Sequence, residues 1–64
     1  MISIEYNKIM IENYTAIGNV DSHQIEIQTK KQRVVIRGEK LEITAMSKDE
    51  IAIRGIFEAV MFHE

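Results

Sequence analysis

Cysteine is absent from this 64-residue chain, so no disulfide can brace it, and thiol chemistry and cysteine metal clusters are both closed to it. Proline is absent as well, and no linker or low-complexity stretch interrupts the sequence, which predicts one domain over residues 1–64. No apolar run approaches the roughly 18–20 residues that a membrane-spanning helix needs. The first residues lack the basic start and unbroken apolar stretch of a secretory signal, since Glu5 interrupts them, and the expected compartment is the cytoplasm. An excess of positive charge is also missing. The formal net charge of −2 argues against a general nucleic-acid binder, which carries a basic face.

What is present is the composition of a folded domain, with 45% hydrophobic and 28% charged residues. A core this small rarely contributes more than about 3–5 kcal/mol without help. With no disulfide to supply it, the expected help is a protein partner or a second copy of the chain.

The chain is organised around Arg33 to Arg54, in which Val34, Ile36, Leu41, Ile43, Ile51 and Ile53 sit on one parity of each apolar run. Period-2 alternation of β-branched residues predicts strands with one buried face. A tight turn at Glu39-Lys40 would pair Ile36 with Ile43 and Arg37 with Glu42. A loop at Ser47-Lys48-Asp49 would pair Ala45 with Ile51, Ile43 with Ile53 and Glu42 with Arg54. A turn at Lys31-Gln32 would pair Thr29 with Val34, Ile27 with Ile36 and Glu26 with Arg37. This register gives an apolar row Ile27, Ile36, Ile43, Ile53 on one face and a charge ladder Glu26, Arg37, Glu42, Arg54 on the other. A turn at Lys30-Lys31 keeps the faces but loses the Glu26–Arg37 pair.

Upstream, Ile2, Ile4 and Tyr6 share one parity and Ile9 and Ile11 the other, which a turn at Asn7-Lys8 explains by opposing Tyr6 to Ile9 and Ile4 to Ile11. Helical spacing competes there, and the density of isoleucine favours strands. Tyr14 to Val20 reads as a strand weakened at Gly18. Asp21-Ser22-His23 reads as a turn that lets Val20 face Ile25. The tail, Ile56 to Phe62, fits a strand buried on both faces or a short helix, and is read as a strand. Gly38 and Gly55 are the structural glycines at the bends, and the near-repeat Val35-Ile36-Arg37-Gly38 and Ala52-Ile53-Arg54-Gly55 marks them. The predicted fold is all-β: an antiparallel meander of about six to eight short strands curled into a small roll or sandwich.

No catalytic constellation emerges. Asp21, Ser22 and His23 hold the letters of a nucleophilic triad, but contiguous turn residues cannot adopt its geometry. His23 and His63 gain no third ligand from the register, so no metal or cofactor site is assigned. The carboxylates are scattered, and Glu26 and Glu42 stand beside arginines, which suits them poorly to acid catalysis. Ser47 to Glu50 matches a helix capping box, but Ile51-Ala52-Ile53 alternates, so it reads as a loop. Two surfaces remain. Lys30, Lys31, Arg33 and Arg37 form a basic patch at the predicted hairpin tip. Val35, Thr44 and Ala52 line up across three predicted strands and, with Phe57 and Met61, form a candidate interaction surface. Open sheet edges are a further candidate.

Ile11-Glu12-Asn13-Tyr14, Ile17, Ile25-Glu26-Ile27, the run Ile36 to Ile43 (IRGEKLEI) and the run Ile51 to Ile56 (IAIRGI) together resemble the YabP/YqfC family of bacterial sporulation proteins. The resemblance spans roughly Ile9 to Phe62. Gln32 departs from it, standing in a turn where the family would carry glycine. The resemblance implies a small non-enzymatic β-domain without a cofactor, acting in spore envelope formation in the mother-cell or forespore cytoplasm through a sporulation protein partner or self-assembly. The alternative from the residues is a small ligand- or nucleic-acid-binding β-barrel module using the Lys30–Arg37 surface.

Overall fold

The computed structural model describes residues 2–64. Six strands form a single antiparallel sheet: β1 (Ile2–Ile4), β2 (Lys8–Glu12), β3 (Tyr14–Val20), β4 (Gln24–Thr29), β5 (Arg33–Met46) and β6 (Glu50–His63). Their spatial order is β1-β2-β6-β5-β4-β3, with no helix among the described residues. The meander holds for β3 to β6, while the β1–β2 hairpin joins from the far side of β6.

β5 and β6 are fourteen residues each, much longer than the short strands expected, because the predicted turn at Glu39-Lys40 does not form. The favoured two-residue hairpin turns need positive φ at their first position, and here only the second, Lys40, has it, at 55°. The chain instead bends and runs on. The register passes from Glu39 opposite Ile56 to Glu42 opposite Arg54, which leaves Lys40 and Leu41 facing Gly55 as a bulge. Gly55 has φ of 150°, and a Cβ there would lie 2.8 Å from the Lys40 carbonyl oxygen. A Cβ on Gly38 would lie 1.9 Å from the Ile56 carbonyl oxygen. Both strands can therefore bend together only because these positions carry no side chain.

The bend divides the sheet into two half-sheets. One contains β1, β2, Glu50–Arg54 of β6 and Glu42–Met46 of β5. The other contains Ile56–His63 of β6, Arg33–Glu39 of β5, β4 and β3. Ile9, Ile11, Ile51 and Ile53 on the first meet Ile25, Ile27, Val34 and Ile36 on the second in one cluster, with Leu41 buried beside the bend. Burying each such isoleucine fully is worth about 1.5–3 kcal/mol, which is what holds the halves together against chain entropy.

Three connections fix the halves. Asn13, at φ 60°, is the single residue between β2 and β3, and its N–H donates to the Asp49 carbonyl at 2.6 Å. Asparagine tolerates this left-handed conformation better than most residues. The Tyr14 hydroxyl donates to the Ser47 carbonyl at 2.7 Å, tying β3 to the β5–β6 loop. At the other end, Gly38 N–H donates to His23 O at 3.0 Å and Leu41 N–H to Ser22 O at 2.9 Å, so the β3–β4 turn grips the bend.

Several registers differ from expectation. In the first hairpin Ile2 faces Ile11 and Ile4 faces Ile9, with the turn at Tyr6-Asn7 and Glu5 N–H donating to Lys8 O at 2.8 Å. This shift leaves Tyr6, 98% exposed, in solvent. The β4–β5 turn is Lys30-Lys31, so Ile27 faces Val34 and Ile25 faces Ile36. Thr29 Oγ1 donates to Gln32 O at 3.0 Å and accepts from Gln32 N–H at 3.2 Å, closing this turn with no positive φ at Lys30, Lys31 or Gln32 and no glycine. The charge ladder accordingly breaks: Glu26 faces Val35 and pairs with Arg33 Nε at 3.6 Å, and Arg37 faces Gln24. Glu42 opposite Arg54 and Ile43 opposite Ile53 stand as expected, with Lys8 continuing the charged row. A register shift places Ala45 opposite Ala52 instead of Ile51. Val20 faces Ile25, β3 carries one register shift between Tyr14 and Ala16 and a second between Ile17 and Val20 that spans Gly18, and the tail is a strand.

Candidate interaction surface

The strand register decides which side chains can act together. Val35 and Thr44 lie on the same strand, β5, on opposite sides of its bend, so the expected row Val35, Thr44, Ala52 across three strands does not exist. The structure sorts these residues into separate places. On the outer face of the second half-sheet, Val35 stands between Glu26 and Met61 and is only 7% exposed. Met61 is half-buried. On the first half-sheet, Ala52 is buried between Met10 and Ala45, and the exposed Thr44 hydroxyl donates to the Ala52 carbonyl at 3.5 Å. Phe57, opposite Gly38, turns inward and packs against the core cluster.

Two apolar patches therefore replace one. Val35 and Met61 make the first. Met10, Ala45, exposed Met46 and Ala52 line a shallow depression of about 210 Å³ that makes the second. Met10, Ala45 and Met46 were not anticipated. The parity opposite to Ile9 and Ile11 marks Met10, but nothing local shows that Ala45 would slide beside Ala52.

The basic patch is divided too. Lys30 and Lys31 line a wide groove of about 740 Å³ shared with Glu12, Asp49 and Tyr14, so its charges are mixed. Arg33 is tied to Glu26, and Arg37 lies between Gln24 and Ala59. A surface of one sign, as phosphate recognition uses, is not assembled by these four residues.

The chemistry of the turn at Asp21 is structural. Asp21 Oδ1 accepts from the backbone N–H groups of His23 and Gln24, each at 2.7 Å. The hydrogen bond from His23, and then that from Gln24, favour the ionised form and hold the Asp21 carboxyl below its usual value of 3.8. Ser22 Oγ lies 3.2 Å from His23 Nδ1, but the carboxylate that would orient the imidazole is occupied by the backbone. His23 and His63 stand at opposite ends of the β4–β5 ladder, near Arg37 and Arg33 respectively. No three histidine, aspartate or glutamate side chains converge among the described residues.

Fold and surface thus define a small all-β domain whose conspicuous features are apolar surface patches and open sheet edges. The chain matches the YabP family model over residues 2–64 and belongs to that family. Comparison with curated proteins gives no match. No helix of the structure is long and apolar enough to cross a membrane.

Proposed function

We propose that this chain is a non-enzymatic sporulation protein that acts through protein–protein contacts or self-assembly as the spore envelope forms, in the mother-cell or forespore cytoplasm. Membership of the YabP family supports the process, and the surface supports the mode of action. The observation that carries the mode is the tail of β6, whose apolar residues Val60, Met61 and Phe62 lie beside Val35 along a strand that has a neighbour on one side only. Apolar side chains next to unpaired backbone groups are suited to receiving another protein.

Binding of a ligand or nucleic acid through Lys30–Arg37 is the competing reading, and the mixed charge of the groove weighs against it. The two readings separate by salt: affinity for nucleic acid would fall steeply as salt rises.

The test is deletion of the gene in its host, with spores scored for envelope integrity, together with a fluorescent fusion of the full chain. Defective envelopes and a fusion concentrated at the developing spore are expected. Intact spores with a diffuse fusion would overturn the reading.

A further inference from the structure

Because the long hairpin bends, the sheet has four free edges instead of two. They are β1, β3, the stretch Glu42–Met46 of β5, and the stretch Ala59–His63 of β6. Natural sheets protect such edges by shortness, bulges or charge. β1 has three residues, and β3 is broken by two register shifts. The β5 stretch begins at exposed Glu42, and Thr44 turns its hydroxyl back onto Ala52. Ala59–His63 has none of these protections. It holds no acidic residue, lysine or proline. Glu58, just before it, is extruded as a bulge where the register passes from Gly38–Phe57 to Arg37–Ala59.

We propose that Ala59–His63 pairs antiparallel with the same segment of a second copy of this chain, centred on Met61 opposite Met61, to give a twofold dimer with one continuous sheet. This deepens the self-assembly reading and rests on it. The side chains select the occupant and the register. Residues opposed across an antiparallel pair share a face, and a twofold axis normal to the sheet requires the segment to pair about one of its own residues. Centring on Met61 puts Val60 opposite Phe62 on the inner face and Ala59 opposite His63 on the outer face. The inner face then runs Val34, Phe62, Val60, Ile36 across the junction, covering half-buried Val60 and Phe62, which is 48% exposed in the single chain. The outer face runs Val35, Met61, Met61, Val35, so the patch that each copy carries alone becomes one apolar row. Glu58 and Glu64 meet only beyond the ends of this ladder, where both are exposed and their repulsion is small.

The full chain tests this through its lack of cysteine, since any introduced thiol is unique. Directly opposed residues have Cα atoms about 4.5–5.5 Å apart, inside the range of a disulfide. Met61→Cys is expected to cross-link readily under mild oxidation. Ala59→Cys and His63→Cys are each expected to stay uncoupled alone and to cross-link when mixed. Sedimentation should give a dimer for the parent chain at micromolar concentration and monomers for Met61→Lys and Met61→Glu, with a dimer restored when these two are mixed. Restoration also shows that both variants fold. A parent chain that stays monomeric, or equal cross-linking at positions 59 and 61, would overturn the pairing. Its failure is distinct from failure of the functional reading. A monomer whose loss still damages spores sinks the dimer alone, and a dimer whose loss leaves spores intact sinks the sporulation role alone.

Discussion

The two halves of β6 are made of similar residues and live in different surroundings. From Glu50 to Arg54 the strand lies between β2 and β5: Ile51 and Ile53 are buried inside, Glu50 and Arg54 are exposed outside, and the small Ala52 between them is covered by Met10 and Ala45. Beyond Gly55 it keeps β5 and loses β2, yet it becomes apolar on both faces. A strand apolar on both faces ordinarily occupies the middle of a covered sheet. Here it is an edge. The first half of β6 satisfies its backbone and side chains within the chain, whereas the second leaves both partly unmet, and this contrast separates what stabilises the fold from what is free to bind.

The contrast can be broken outright at the bend that creates it. Gly38→Ala places a methyl group against the Ile56 carbonyl, where only backbone could yield, and we expect loss of the folded state by circular dichroism. A folded variant with unchanged melting would show that the bend does not depend on Gly38.

The two halves can next be compared directly. Ile53→Ala removes a fully buried side chain and should cost about 2–5 kcal/mol in chemical denaturation, most or all of the stability of so small a core. Phe62→Ala should change the stability of the isolated monomer by about 0.5 kcal/mol, and its main effect should be on dimer mass. Equal destabilisation by the two would mean that the tail belongs to the core.

A smaller effect is expected at the charged row of the first half-sheet. Glu42→Arg sets three basic residues side by side with Arg54 and Lys8, and about 0.5–1 kcal/mol should be lost at low salt and largely regained at high salt. Salt-independent melting would contradict this row.

The smallest effect is titratable. The Asp21 carboxyl is held below its unfolded value, so its contribution is fully present above about pH 4 and fades as pH falls through the lower, folded value. Asp21→Asn should therefore melt slightly below the parent chain at neutral pH and converge with it in acid. A gap that persists at low pH would assign the effect to shape and not to charge.

The strands themselves were readable because β-branched residues at period 2 report burial wherever one face is covered. Val20 opposite Ile25, Glu42 opposite Arg54 and the Ser47–Asp49 loop follow from that signal. Gly38 and Gly55 were legible as bend positions, but the form of the bend at Gly38–Leu41, a bulged continuation and not a tight turn, was not. A tight turn and a bulged continuation both preserve the parity of Ile36 and Ile43, and the choice depends on Gly55, far along the chain, which supplies the space. The same ambiguity misplaced Val35 and Thr44 on neighbouring strands. Phe57 was placed on the surface because the bulge at Glu58, which turns Phe57 and Val60 to the same inner face, leaves no local signature.

The β2–β6 ladder joins nearly opposite ends of the chain, Ile9 facing Ile53 and Ile11 facing Ile51. Closing so long a loop is slow compared with forming the β5–β6 hairpin. On the ribosome the first hairpin emerges early, yet its neighbouring strand is among the last segments made. Ile9→Val should then speed unfolding and leave the refolding rate almost unchanged, while changes in the Ser47–Asp49 loop should slow refolding. The one-residue corner at Asn13, whose N–H reaches the Asp49 carbonyl, would close only after that loop exists. The oldest part of the nascent chain is the last to be covered.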